Sequence, residues 1–154
     1  MAENILEKII KRKTINIEKL KKTLDQNTLK DLIEKNTSFV DFKNKINQNI
    51  KNNKISIIAE IKKASPSAGV IIEDYNPLEI ANIYDKNNAT CLSVLTEEEF
   101  FLGKLDHIRQ IKQKIKLPVL CKDFFVDKFQ IPLAKSYGAD AILIILAGVK
   151  ENMA

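Results

Sequence analysis

Two apolar segments of the sequence each end in charged residues that could do chemistry. Residues 56–62 contain Glu60 and Lys62, and residues 118–122 end in Lys122. Side chains alternate between the two faces of a β-strand, so Glu60 and Lys62 are expected on the same face. A carboxylate in that position can orient an ammonium group and keep it protonated. Two ammonium groups on one rim can bind a carboxylate, oppose a developing negative charge or donate a proton.

The same pattern also has plain structural explanations. A charged pair at the end of a strand can be a surface salt bridge, and a terminal lysine can lay its stem on apolar surface with its ammonium in water. Two strands that each bring a lysine to one rim favour the functional interpretation. The loop after the first strand adds Ser65 and Ser67, but small polar residues near a glycine by themselves indicate an ordinary turn.

Composition bounds the class of protein. The chain has 154 residues, of which 45% are hydrophobic and 29% charged, and this predicts one folded domain. No apolar run is long enough to span a bilayer and no signal-peptide pattern opens the chain, so we expect no membrane partner and a cytoplasmic location. Cys91 and Cys121 fit no metal or redox spacing and are interpreted as free, buried thiols. No ligand cluster indicates a metal or a cofactor.

The net charge of +5 is concentrated in residues 1–54, which carry 13 basic and 7 acidic side chains. Of the 25 basic residues in the chain, only Arg12 and Arg109 are arginines. Recognition of bases and phosphates favours the arginine fork, and no basic run here alternates with aromatic residues. We therefore predict no nucleic-acid partner.

The N-terminal third is expected to form a helical extension. Apolar residues three and four positions apart predict a helix over residues 3–24. The residues off this apolar stripe are basic and are assigned to solvent: Lys11, Arg12, Lys13, Lys21 and Lys22. A second helix is predicted at residues 28–35. The polar stretch 36–53 is expected to lie as an arm across a larger body, with Phe39 and Phe42 as anchors.

From residue 55 onward the pattern changes to strands that alternate with helices. Strands are predicted at residues 55–62, 91–95, 118–121 and 139–146, and helices at residues 77–86, 105–116 and 128–137. This order predicts a parallel α/β sheet with right-handed crossovers. The long connection at residues 63–76 follows the first strand, where such folds place their ligands. His107 is assigned to the surface of the second helix in this region.

Several of these segments together resemble the indole-3-glycerol phosphate synthase family. The segments are residues 5–9 (ILEKI), 57–67 (IIAEIKKASPS), 92–97 (LSVLTE), 100–103 (FFLG) and 117–124 (LPVLCKDF). The resemblance implies an α/β fold, a parallel TIM-type (β/α) barrel of which this chain carries the first four strands. It divides the chain into an N-terminal helical extension at 1–54 and the first half of a (β/α)8 barrel at 55–154.

The resemblance also implies a function, that of a carboxy-lyase in tryptophan biosynthesis. The family closes the ring of a phosphorylated anthranilate-deoxyribulose, 1-(2-carboxyphenylamino)-1-deoxyribulose 5-phosphate, with loss of carbon dioxide and water and without a cofactor. By the matching motifs, Lys122 is expected to be the general acid, Lys62 to hold the substrate carboxylate and Glu60 to orient the lysines. The resemblance places six residues in the substrate site: Ser65, Ser67, Ser93, Phe101, Phe124 and Leu143.

The family barrel has eight strands and about 250 residues, whereas four strands are predicted here. The other half would supply a general base and most of the phosphate site, so we expect no ring closure by this chain alone. Three alternatives stay open: a truncated enzyme, a subunit that needs a C-terminal half-barrel chain in trans, and a non-catalytic half-barrel that binds ligands or self-associates. In each case an inner apolar face is expected to lack its partners. Its members are Leu95, Leu120, Leu143 and Ile145.

Overall fold

The computed structural model describes residues 4–36 and 38–149. Three helices form the N-terminal part: α1 (Ile5–Thr23), α2 (Gln26–Lys35) and α3 (Phe42–Lys51). The remaining elements, in chain order, are β1 (Ile58–Ile61), β2 (Ala64–Ser65), β3 (Gly69–Val70), α4 (Pro77–Lys86), β4 (Cys91–Leu95), α5 (Leu105–Lys112), β5 (Val119–Lys122), α6 (Gln130–Ser136), β6 (Ala141–Ile142) and a 3₁₀ turn at Leu146–Gly148.

Four strands form one parallel sheet in the order β1-β4-β5-β6. The register pairs Glu60 with Ser93 on β4, and Leu95 at the end of β4 with Lys122 on β5. All four strands therefore bring their carboxyl ends to the same edge. The predicted α/β fold with four parallel strands is confirmed, and the sheet is consistent with part of a TIM-type barrel.

One face of the sheet packs on helices α4, α5 and α6 and forms the core. Every second strand residue points to this face, as the alternation of a strand requires. The strand residues of the core are Ile61, Leu92, Val94, Val119 and Cys121, and its helix residues include Ala81, Ile108, Ile111 and Ala134. Because these positions share one face, the alternate residues of the same strands must lie on the other.

That other face, the inner face, is only partly covered. Leu143 is 36% exposed, which agrees with the expected lack of partners, and Ile58 on the same face is 47% exposed. The expectation is wrong for Leu95, which is only 3% exposed. The reason is local, because Leu95 lines a pocket together with Phe101, Phe124 and Ile145, whose side chains lie on the same side of the sheet.

Both cysteines are free and buried, as predicted. Burial raises the pKa of the Cys91 thiol to about 11 and that of the Cys121 thiol to about 12. The thiolate is the reactive form of cysteine, so these two thiols act as packing groups at neutral pH.

Several elements are shorter than the sequence predicts. Strand β1 begins at Ile58 rather than at residue 55, and the preceding Ile57 is 53% exposed. Strand β6 spans only Ala141–Ile142, because the chain leaves β5 there and turns into the 3₁₀ segment. Helix α6 begins at Gln130 rather than at residue 128, because the Gln130 side chain accepts hydrogen bonds from the amides of Val126 and Asp127 and holds that segment as a turn.

Most of the polar stretch 36–53 forms helix α3, an element that the sequence did not predict. The Asp41 carboxylate caps this helix by accepting a hydrogen bond from the Asn44 amide at 2.8 Å. Phe39 is 59% exposed, so it is not the predicted anchor, although the Lys135 ammonium lies 4.2 Å from its ring centroid. Phe42 is half-buried.

Helix α1 packs along the loops that follow β4 and β5. The expectation that Lys13 faces solvent is wrong, since this residue is 9% exposed and shares the buried face of α1 with Ile9 and Ile17. Its ammonium lies 2.7 Å from Asp123 Oδ1. Two exposed bridges also join α1 to the body, Arg12–Glu99 and Lys21–Asp127.

His107 is half-buried rather than on the surface of α5. The Tyr75 ring, at the end of the β1–α4 connection, covers it with a centroid separation of 5.4 Å. Burial, helped by the nearby Lys104, lowers the pKa of His107. Over the described ranges, no helix is long and apolar enough to cross a membrane, and no three His, Cys, Asp or Glu side chains group as a metal site.

Candidate active site

Glu60, Lys62 and Lys122 meet at the carboxyl edge of the sheet. The Glu60 carboxylate lies between the two ammonium groups, with Oε1 2.7 Å from Lys62 Nζ and Oε2 2.5 Å from Lys122 Nζ. Strand β4 separates β1 from β5, so the Lys122 side chain reaches across β4 to Glu60. The structure thus brings together the three groups that the sequence singled out.

The charges of this cluster support one another. Burial raises the pKa of Glu60, but hydrogen bonds from Lys122 and Lys62 outweigh burial and hold it below its ordinary value of 4.5. The carboxylate is therefore ionised at neutral pH and offsets the repulsion between the two ammonium groups. All three side chains are about one-third exposed, at 31% to 36%, so a ligand can reach them.

A pocket of about 170 Å³ opens beside this cluster. Two aromatic rings form part of its wall, Phe101 and Phe124, with centroids 6.2 Å apart and planes tilted by 41°. The complete lining is Glu60, Lys62, Leu95, Phe101, Lys122, Asp123, Phe124 and Ile145. Ammonium groups next to apolar and aromatic walls suit a ligand that joins a carboxylate to an aromatic ring.

A buried carboxylate, that of Glu97, fixes the loop that carries Phe101. Its oxygens accept hydrogen bonds from the amides of Phe100 at 2.7 Å and Phe101 at 3.1 Å. The loop closes at Gly103, where an added Cβ would lie 2.3 Å from the Leu95 carbonyl oxygen. Only a residue without a side chain permits this approach.

The turn after β5 is fixed by Asp123. Its carboxylate accepts hydrogen bonds from the Phe124 amide and the Thr96 hydroxyl, each at 2.7 Å. The Thr96 amide in turn donates to the Lys122 carbonyl oxygen at 3.1 Å. Sequence reasoning assigned no role to these supporting residues, because their bonds join segments that are distant in the chain.

Four predicted substrate residues lie outside the pocket lining. Ser65 and Ser67 lie on the β2–β3 hairpin, which occupies part of the long connection and which the sequence did not predict; their hydroxyl oxygens are 3.4 Å apart. Ser93 is buried two residues before Leu95 on β4. Leu143 lies on the inner face, and Ile145 lines the pocket in its place. The substrate roles of these four residues stay predictions.

A parallel α/β sheet with a carboxylate-ammonium cluster and an apolar pocket at the carboxyl edge is typical of small-molecule enzymes, in which ligands bind outside the ends of the strands. The model of the family described as "Indole-3-glycerol phosphate synthase" matches residues 6–154. This chain belongs to the indole-3-glycerol phosphate synthase family.

Individual relatives agree with the family match. An indole-3-glycerol phosphate synthase of Microcystis aeruginosa is 43% identical over 150 residues, which are 97% of this chain and 50% of the relative. That of Prochlorococcus marinus subsp. pastoris is 46% identical over 98% of this chain and 50% of its own length. That of Clostridium acetobutylicum is 43% identical over 97% of this chain and 56% of its own length. The chain spans about half the length of these curated relatives.

Proposed function

We propose that this chain forms the carboxylate-binding and proton-donating half of an indole-3-glycerol phosphate synthase active site. The substrate is the phosphorylated anthranilate-deoxyribulose of that family. The observation that carries the proposal is the Glu60 carboxylate held between Lys62 and Lys122, at the mouth of an aromatic pocket.

Each group has a role in ring closure. Lys62 binds the carboxylate on the aromatic ring of the substrate. Lys122 donates a proton to the substrate carbonyl oxygen as the new carbon–carbon bond forms, which neutralises the developing negative charge. Glu60 holds both ammonium groups in place, and the Phe101 and Phe124 rings bound the site for the aromatic ring.

The proposal assigns the general base and most of the phosphate site to the half of the family sequence that this chain does not match. We therefore expect no ring closure by the 154-residue chain alone. The test combines it with a polypeptide that spans the unmatched half of the Clostridium acetobutylicum relative. Substrate is added, and the fluorescence of the indole product is followed.

We expect product from the mixture and none from either half alone. Lys122→Ala should lower the rate of the mixture by about 10²-fold or more, because it removes the proton donor. Lys114→Ala is the control, since Lys114 is exposed and precedes β5 at the opposite end of that strand. An active mixture that tolerates Lys122→Ala would reject the proposal.

A non-catalytic half-barrel that self-associates is the second candidate. The exposed side chains of Ile58 and Leu143 on the inner face favour it, because apolar surface of this kind is commonly covered by a partner. Sedimentation equilibrium separates the two candidates. A dimer that Leu143→Glu dissociates, with no product from the mixture of halves, would favour this second candidate.

A further inference from the structure

A lysine of the N-terminal extension pairs with the residue that follows Lys122. Lys13 Nζ lies 2.7 Å from Asp123 Oδ1, and the two side chains are only 10% and 7% exposed. Taking two charges out of water costs free energy that their attraction offsets only when the geometry is good. A buried ion pair therefore need not stabilise the fold. Its position, one residue after Lys122, points instead to a role in placing Lys122.

The Asp123 carboxylate ties three segments together. It forms a salt bridge with Lys13 on α1, and it accepts hydrogen bonds from the Thr96 hydroxyl after β4 and from the Phe124 amide beside it. The backbone between Lys122 and Phe124 is thereby fixed, and both of these side chains line the pocket. A shift at Asp123 would displace the proton donor and one aromatic wall at once.

The other ion pairs of helix α1 do not have this character. Arg12 and its partner Glu99 are 61% and 37% exposed, and Lys21 and its partner Asp127 are 42% and 33% exposed. Exposed pairs of this kind contribute little to stability. They can guide α1 onto the body without touching the pocket, so they provide a matched comparison on the same helix.

We propose that Lys13 is a positioning residue, which acts through Asp123 to aim the Lys122 ammonium at Glu60. The inference rests on the proposed function, because it gives the N-terminal extension a part in placing the proton donor. Lys13 does not touch the pocket, so it acts only through the turn after β5.

The test measures the pKa of the Glu60 carboxyl group by carbon-13 NMR, assigned with Glu60→Gln, in the full chain. In the wild type, hydrogen bonds from Lys122 and Lys62 keep this pKa below 4.5. Lys13→Met should raise the pKa, because a loosened turn withdraws Lys122. The same variant should weaken binding of N-methylanthranilate, a small aromatic carboxylate, by about tenfold, since small misplacements of catalytic groups are costly.

Two further variants separate positioning from general effects. Lys21→Met also removes one positive charge and one ion pair from α1, so it should leave the Glu60 pKa and the binding of the probe unchanged. Lys13→Arg keeps the charge and should restore both wild-type values. A cavity of about 210 Å³ beside Lys13 gives the longer side chain room.

If Lys13→Met does not fold, the test uses the double variant Lys13→Met/Asp123→Asn. The double variant leaves no unpaired buried charge, because both partners of the ion pair become neutral. It should show the same rise in the Glu60 pKa. The inference would be overturned if the pKa of Glu60 in either folded variant equalled that in the wild type. It would also be overturned if Lys21→Met raised the Glu60 pKa by the same amount as Lys13→Met. Failure of the wild-type chain to bind N-methylanthranilate would instead count against the proposed function, and the Glu60 titration would still decide the role of Lys13.

Discussion

The Lys122 ammonium lies 2.5 Å from the Glu60 carboxylate, although strand β4 separates the strands that carry the two residues. The contact therefore depends on the register of two strand pairs. In that register Glu60 is level with Ser93, and Lys122 is level with Leu95. This contact joins β1 and β5 across the inner face, and Lys62 binds the other oxygen of the same carboxylate.

The pH dependence of stability should report on Glu60. Its pKa is lowered on folding, since hydrogen bonds from Lys122 and Lys62 outweigh the effect of burial. A lowered carboxyl pKa stabilises the folded state above the unfolded-state pKa, and this contribution is lost as the pH falls through the folded-state pKa. Between about pH 6 and pH 3, the free energy of unfolding of the wild type should thus fall more steeply than that of Glu60→Gln.

Urea denaturation at a series of pH values measures this difference. Glu34→Gln is the control, because Glu34 is an exposed carboxylate on α2, and it should keep the wild-type slope. Identical slopes for the wild type and Glu60→Gln would show that the carboxylate is not held between the two ammonium groups.

A second buried ion pair should dominate the stability of the other end of the sheet. Lys112 and Asp140 are paired at 2.7 Å, with side chains 4% and 0% exposed. Asp140 also accepts hydrogen bonds from the amides of Val119 and Val40. Lys112→Met leaves that buried carboxylate without its cation and should lower the free energy of unfolding by about 3–5 kcal/mol.

Lys114→Met, two residues away and exposed, should change the free energy of unfolding by no more than about 0.5 kcal/mol. Urea denaturation near neutral pH compares the two variants. A loss below about 1 kcal/mol in Lys112→Met would contradict the prediction, because it would mean that Asp140 needs no cation.

The loop that carries Phe101 should depend on Gly103. In Gly103→Ala the new methyl group would lie 2.3 Å from the Leu95 carbonyl oxygen, so the loop must move, at a cost of about 1–3 kcal/mol or more. The Phe101 and Phe124 ring resonances should shift with it, since these rings are neighbours.

Gly69→Ala provides the matched control for this variant. Gly69 has a left-handed backbone, with φ of +65°, but a Cβ there meets nothing within 4 Å. This change should cost about 1–2 kcal/mol through backbone strain alone and leave both ring resonances in place. Unchanged phenylalanine resonances in Gly103→Ala would contradict the assigned role of the close approach.

The central cluster could be predicted from the sequence because it depends on two simple rules. Alternation along a strand puts Glu60 and Lys62 on one face, and parallel strands bring their carboxyl ends to one edge. Together these rules put Lys122 on the same edge as Glu60 without any knowledge of the helices, while the contact itself also needs the register of two strand pairs, which no local pattern specifies.

The supporting contacts could not be predicted in the same way, because they join distant segments. The Asp123 carboxylate receives its ammonium from Lys13, on a helix that no local pattern connects to β5. One signal was available, since Lys13 lies four residues from both Ile9 and Ile17, the buried positions of α1. A lysine on the apolar face of a helix indicates a buried partner.

Two elements are absent from the sequence-based prediction, helix α3 and the β2–β3 hairpin. Helix α3 does carry apolar residues four positions apart, Phe42, Ile46 and Ile50, but asparagine, glutamine and lysine fill the rest of the helix and none of its residues is buried. The β2–β3 hairpin pairs only two residues on each strand, which is too short for any alternation to show.

Binding of N-methylanthranilate, followed by NMR, tests most directly the claim that Glu60, Lys62 and Lys122 form one site for an aromatic carboxylate. In the wild type, we expect the probe to shift the side-chain resonances of Lys62 and Lys122 together with those of the Phe101 and Phe124 rings. Lys62→Met/Lys122→Met should abolish these shifts, and Lys114→Met should keep them. Unchanged binding by the double variant, or shifts confined to another part of the surface, would contradict the claim.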